Sequence, residues 1–179
     1  KAIRFPESKF RAMGRTASGV KGMTVPDGEK VVGLICAPAD TNKEILVVSE
    51  KGFGKRSSID DYRITNRGGK GVKTINVTEK TGKLVAFEAV DDDDDLMIMN
   101  KSGITIRMEV APLRVMGRVA QGVKLINLRP KDSIAAISTV HVEPEERQAM
   151  KEAENAENVE GTETDENQNE TNNTENNEQ

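Results

Sequence analysis

Met13-Gly14-Arg15-Thr16-Ala17-Ser18-Gly19-Val20-Lys21 is written twice more along this chain, as Asn66-Arg67-Gly68-Gly69-Lys70-Gly71-Val72-Lys73 and as Met116-Gly117-Arg118-Val119-Ala120-Gln121-Gly122-Val123-Lys124. A pair of arginines leads each copy: Arg4 and Arg11, Arg56 and Arg63, Arg107 and Arg114. The step is 52 positions from Arg4 to Arg56 and 51 from Arg56 to Arg107. A period of about 50 residues that carries short strands marks a radial or stacked architecture, with one supersecondary unit per repeat. Each unit sets arginine and lysine at equivalent places, so the assembled object is expected to carry a regular positive rim.

Within a repeat the signals are short strands and tight turns. Glu44-Ile45-Leu46-Val47-Val48-Ser49 runs into Glu50-Lys51-Gly52 and then a basic strand through Lys55-Arg56. Leu96-Met97-Ile98-Met99 runs into Asn100-Lys101-Ser102-Gly103 and then Ile104-Thr105-Ile106-Arg107. Both patterns predict β-hairpins with glycine supplying a positive φ in the turn. Val31–Ile35, Leu84–Phe87 and Ile134–Ile137 are apolar runs at matching places in the three repeats, too short for helices, and they predict buried strands. The expectation is an all-β chain with about four strands per repeat.

The glycines that bracket the repeated loop point to backbone geometry, because a side chain there would block the turn or a close approach. Folding requires those glycines but is indifferent to Arg15, Arg67 and Arg118. A loop that combines glycine with arginine and lysine lets backbone N–H groups and cations converge on one anion, as phosphate oxygens are commonly held. Recurrence of the charge through all three copies therefore favours anion binding over a hairpin turn whose charges merely face water.

Composition divides the chain. Residues 1–142 hold 24 Lys and Arg against 17 Asp and Glu, a balance of +7, while residues 143–179 hold 2 against 13, a balance of −11. The overall −4 averages a basic body with an acidic tail. The tail, beyond a short helical stretch to about Glu157, is Asn, Glu, Thr and Gln with almost nothing apolar, and is expected to be disordered. It is either a solubilising appendage or a competitor for the basic rim. A single cysteine, Cys36, cannot close an internal disulfide and reads as a small core residue. No run is long enough for a helical membrane span and no secretory signal opens the chain, so the reading is soluble and intracellular. The chain opens on Lys1, and Gly52 and Gly103 each stand four positions before their arginine where the first repeat would need a residue ahead of Lys1. Upstream repeats are therefore expected.

Other motifs lead nowhere. Gly52-Phe53-Gly54-Lys55-Arg56-Ser57 lacks the spacing of a nucleotide loop. Asp91–Asp95 lacks the spaced oxygen ligands of a calcium loop and reads as a solvated hairpin connection. His141 is the only histidine and no nucleophile motif accompanies it. Tyr62 is expected to pack on a blade face.

The stretches Arg11-Ala12-Met13-Gly14-Arg15 with Gly19-Val20-Lys21-Gly22, Gly52-Phe53-Gly54-Lys55-Arg56, Lys70-Gly71-Val72, and Gly117-Arg118 with Gln121-Gly122-Val123 resemble the closing repeats of the C-terminal domain of the bacterial DNA gyrase A protein. The likeness covers residues 1–142, and the acidic tail stands in its usual place. It implies a β-pinwheel, a six-bladed propeller-like disc of four-stranded blades that exchange strands, of which this chain supplies about three. It further implies duplex DNA running around the perimeter, bent so that ATP-dependent strand passage introduces negative supercoils. The segment itself would be non-catalytic and free of cofactor. The parent would be a type IIA topoisomerase that uses ATP and magnesium with DNA gyrase B in an A2B2 holoenzyme, cytoplasmic and nucleoid-associated.

The residues expected to meet DNA are Arg4, Arg11, Arg15 and Lys21 in the first repeat, Lys55, Arg56, Arg63, Arg67, Lys70 and Lys73 in the second, and Arg107, Arg114, Arg118 and Lys124 in the third. Residues 65–71 match only the last five positions of the family's Gln-Arg-Arg-Gly-Gly-Lys-Gly loop, which belongs to the first blade. The corresponding domain of topoisomerase IV, and a propeller-like module for an acidic protein or RNA, stay open as alternatives.

Overall fold

Strand β1 (Glu44–Ser49) is apolar at four consecutive positions, and all four are buried. Alternate strand residues face opposite ways, so a strand buried along its whole length must be covered on both faces. Leu46 and Val48 face one core, with Leu96, Ile98, Val110, Leu113 and Ile134 of the third repeat. Ile45 and Val47 face another, with Tyr62 and Ile75. The central blade is thus packed between its neighbours. Each fully buried aliphatic side chain contributes roughly 1.5–3 kcal/mol over leaving it in water.

The computed structural model describes residues 1–143 and 145–152. The chain divides into two units, Lys1–His141 and Val142–Gln179. In the second, residues 145–152 are helical. The expectation of a disordered tail falls almost entirely outside the described residues.

In the first unit β1 forms a hairpin with β2 (Phe53–Ser58) about Gly52, whose φ is 84°. Strand β3 (Leu84–Val90) pairs antiparallel with the other edge of β1. The next repeat copies the arrangement: β4 (Asp94–Asn100) pairs with β5 (Thr105–Glu109) across a turn containing Gly103, φ 88°, and with β7 (Ile134–His141) on its far side. The fourth strand of the first sheet is borrowed. Strand β6 (Val123–Lys124), the end of the third basic loop, pairs with β2 of the repeat before it, Phe53 opposite Lys124 and Gly54 opposite Val123. The same exchange recurs one repeat earlier as the bridge between Ala2 and Val72. Parallel bridges from Arg4 to Ile64 and from Arg56 to Val115 are likewise equivalent.

Glycine permits this exchange. Gly71 has φ 68° and Gly122 φ 88°, and a Cβ on either would collide with the carbonyl of Ala2 or of Gly54 in the preceding repeat. Here the repeated glycine is required twice over, by conformation and by close approach.

Three sequence expectations are corrected. Val31–Ile35 forms no strand, and Leu34 is 84% exposed. Its counterparts β3 and β7 each pair with the first strand of a hairpin, a partner that Val31–Ile35 lacks among the described residues. Cys36, just beyond, is exposed and not in a core. The acidic run is a solvated connection only in part: Asp92 and Asp93 are exposed in the turn between β3 and β4, but Asp94 and Asp95 are buried within β4. Asp94 accepts from the backbone N–H of Asp91 and lies 3.0 Å from His141 Nδ1, and Asp95 holds Arg107 Nε at 2.6 Å. Tyr62 is buried as expected, its hydroxyl on Thr74 Oγ1 and its ring edge-on to Phe87.

Candidate nucleic-acid interface

The basic residues of each repeat separate into three groups by what their charges touch. The first group is buried between repeats. Arg56 is 5% exposed: its Nε donates to Leu113 O at 2.8 Å, Nη2 to Ala111 O at 3.0 Å and Nη1 to Asp92 Oδ1 at 2.5 Å. Glu44 Oε2 also lies 3.0 Å from Nη1, an ionic contact outside hydrogen-bond geometry. Arg4, its equivalent, donates Nη1 to Ile59 O at 2.9 Å and is half-buried. Both arginines therefore clamp the turn that opens the next loop, one repeat on.

Lys55 is fully buried beneath the third loop, its Nζ donating to Ser57 Oγ at 2.7 Å, Gly117 O at 3.0 Å and Arg118 O at 2.8 Å. Desolvation pushes its pKa down to about 8, with Asp61 opposing and the Arg118 charge adding to the shift. Because their donors point into protein, Lys55 and Arg56 are removed from the set of residues available to a phosphate, contrary to the sequence expectation. In β2 neighbouring side chains face opposite ways, and the third repeat covers both faces.

The second group is the arginine inside the second and third loops. Arg67 donates Nε to Lys9 O and Nη1 to Lys21 O, each at 3.2 Å. Arg118 donates Nε to Asp61 O at 3.1 Å and Nη1 to Lys73 O, while its backbone N–H reaches Asp61 Oδ2 at 3.2 Å. Asp61 is a residue that sequence reasoning missed, since an acid beside a basic loop carries no signal of its own.

The third group faces water: Arg11, Arg15, Lys21, Arg63, Lys70, Lys73, Arg114 and Lys124 are all exposed. Arg63 and Lys70 border, with Asn66 and Gly71, a shallow hollow of about 250 Å³ in the second loop. Arg107 is exposed and bound to Asp95. Among the described residues no helix is long and apolar enough to cross a membrane.

The family described as DNA gyrase C-terminal domain, beta-propeller, matches residues 1–38, 43–91 and 94–141, one match to each repeat. The chain belongs to this family. The DNA gyrase A protein of Staphylococcus aureus (strain MRSA252) is 47% identical over 144 residues, which are 80% of this chain and 16% of that protein. The chain thus spans about a sixth of the length of the curated relatives it matches. Among solved structures, a DNA gyrase A C-terminal domain superimposes with a TM-score of 0.64 at 28% identity, covering 75% of this chain and 45% of that one. The C-terminal domain of a DNA topoisomerase IV gives 0.70 at 20% identity, covering 84% and 47%, and speaks for the fold alone. As a gyrase A C-terminal domain chain, this one is all-β with the propeller-like strand exchange seen in its own sheets.

Proposed function

We propose that residues 1–142 are the closing blades of a DNA-wrapping domain in a gyrase A protein, followed by an acidic tail at 143–179. The observation that carries this reading is the recurrence of exposed lysines and arginines at equivalent loop positions in repeats that are physically tied to one another. A free duplex is stiff, with a persistence length of about 150 bp, so bending 20–30 bp by 40–90° costs roughly 1–6 kcal/mol. Cations at blade spacing offset that cost by neutralising phosphates and releasing counterions, with little dependence on base sequence. The contacts are assigned to Arg11, Arg15, Lys21, Arg63, Arg67, Lys70, Lys73, Arg114, Arg118 and Lys124. Arg4, Lys55 and Arg56 support them from between the repeats.

In the parent protein the wrap presents a DNA segment for strand passage, and negative supercoiling follows from its fixed hand. The chemistry belongs to other parts of an A2B2 holoenzyme, where ATP and magnesium act with DNA gyrase B. The setting is the cytoplasm, on the nucleoid.

The test is the salt dependence of duplex affinity, read by fluorescence anisotropy. Replacing Lys21, Lys70, Lys73 and Lys124 by Gln lowers the slope of log K against log salt by up to about 3.6, at about 0.9 per phosphate contact. An unchanged slope removes these loops from the interface.

A further inference from the structure

We propose that Arg67 and Arg118 are positioning residues that set the distance from each basic loop to the loop before it. The geometry stands alone, while its consequence for DNA rests on the wrapping function proposed above.

The two arginines are 51 positions apart, and their acceptors keep step: Lys9 and Asp61 are 52 apart, as are Lys21 and Lys73. In both cases Nε takes a carbonyl from the turn ahead of a loop, and Nη1 takes the carbonyl of the lysine that ends the preceding loop. A surface arginine that met a carbonyl by accident would not find the equivalent pair one repeat later. Each loop thus reaches back and grips the last residue of its predecessor.

This task requires a guanidinium. Its planar fork presents N–H groups in fixed divergent directions and can bridge two carbonyls on separate segments, whereas an ammonium is a point charge on a flexible stem. Nη2 takes no part in either fork among the described residues. A phosphate held there would sit at a set distance from the cations of the neighbouring loop, which converts local binding into curvature.

Other contacts hold the same segments in place. Gly68 N–H donates to Gly22 O at 2.6 Å, Thr24 Oγ1 donates to Gly68 O at 2.7 Å, and Lys55 braces the carbonyls of Gly117 and Arg118 from beneath. The loops are therefore joined in series, 13–21 to 66–73 to 116–124.

The test keeps the charge and removes the fork: Arg67→Lys and Arg118→Lys together, in the full chain. Anisotropy on a short duplex reports saturation, and energy transfer between the ends of a duplex of about 40 bp, nearly straight when free, reports bending. Amide exchange at Gly68 and Arg118 in the free protein reports the tie itself. The expected result, on duplex that the variant still saturates, is transfer close to that of free duplex and exchange faster by about 10-fold or more at both amides. Lysine variants that bend DNA like the parent, with unchanged exchange, would overturn the proposal. If the parent itself leaves the duplex straight, the wrapping function fails, and the exchange result alone decides the tie: faster exchange upholds it and unchanged exchange ends it.

Discussion

Replacing Arg56 by Ala should cost this domain about 3–5 kcal/mol, a large share of a typical domain's stability. The side chain satisfies the carbonyls of Leu113 and Ala111 and lies against Glu44 and Asp92. A buried acceptor stripped of its donor costs roughly 1–3 kcal/mol, and Leu113 O is one, whereas Ala111 O, on an exposed residue, adds less. Glu44, largely covered, is left with its charge uncompensated, which raises the cost further. Asp92 is 74% exposed and adds no more than about 1 kcal/mol. Urea unfolding followed by circular dichroism reads the effect: with a slope of roughly 2 kcal/mol/M, the midpoint falls by about 1.5–2.5 M. Arg56→Lys should recover little, since an ammonium cannot span both carbonyls. Exposed Arg63, replaced by Ala, serves as the control and should change stability by no more than about 0.5 kcal/mol. An Arg56→Ala midpoint indistinguishable from that control would refute the clamp.

Gly122→Ala should destabilise far more than Gly19→Ala, although both glycines have positive φ, 88° and 81°. Only Gly122 faces a carbonyl at the Cβ position, whereas Gly19 meets nothing there, so its cost is the left-handed backbone alone, about 1–2 kcal/mol. Equal losses in thermal melts would mean that the close crossing on Gly54 is unimportant. Stability should also rise with pH between about 8 and 10, because folded Lys55 gives up its proton near 8 while the unfolded chain keeps it to about 10.5. The desolvation cost of the buried ammonium is borne in full below pH 8 and relieved as it neutralises; above about 10 the raised pKa of Tyr62 reverses the slope. A Lys55→Met variant should lose the rise, and a flat parent profile would contradict the burial of the charge.

Much of this fold was legible in the chain. The step of 51 or 52 residues, the turn glycines and the apolar runs gave the hairpins and their order, because a repeat that folds one way must fold the same way again. The exchange of Val123–Lys124 onto β2 was not legible from residues, since two residues carry no strand signal and their partners are 69 and 71 positions away. The fate of the cations was hidden for the same reason. Lys55 and Arg63 look alike in sequence, yet a neighbouring repeat covers the first and leaves the second in water. Val31–Ile35 failed in the opposite sense: its composition is that of a buried strand, but burial depends on a partner strand and not on composition. Asp94 and Asp95 read as solvent-facing because a run of carboxylates normally is, and only the positions of His141 and Arg107 show why two of them sit inside a strand.

The central claim is that serially tied basic loops curve a stiff polyanion. Energy transfer between dyes at the two ends of a duplex of about 40 bp, titrated with the chain at moderate salt, measures this directly. Transfer that rises on saturation, and falls back as salt releases the protein, is the result predicted. Binding that saturates while the ends stay as far apart as in free DNA would contradict it.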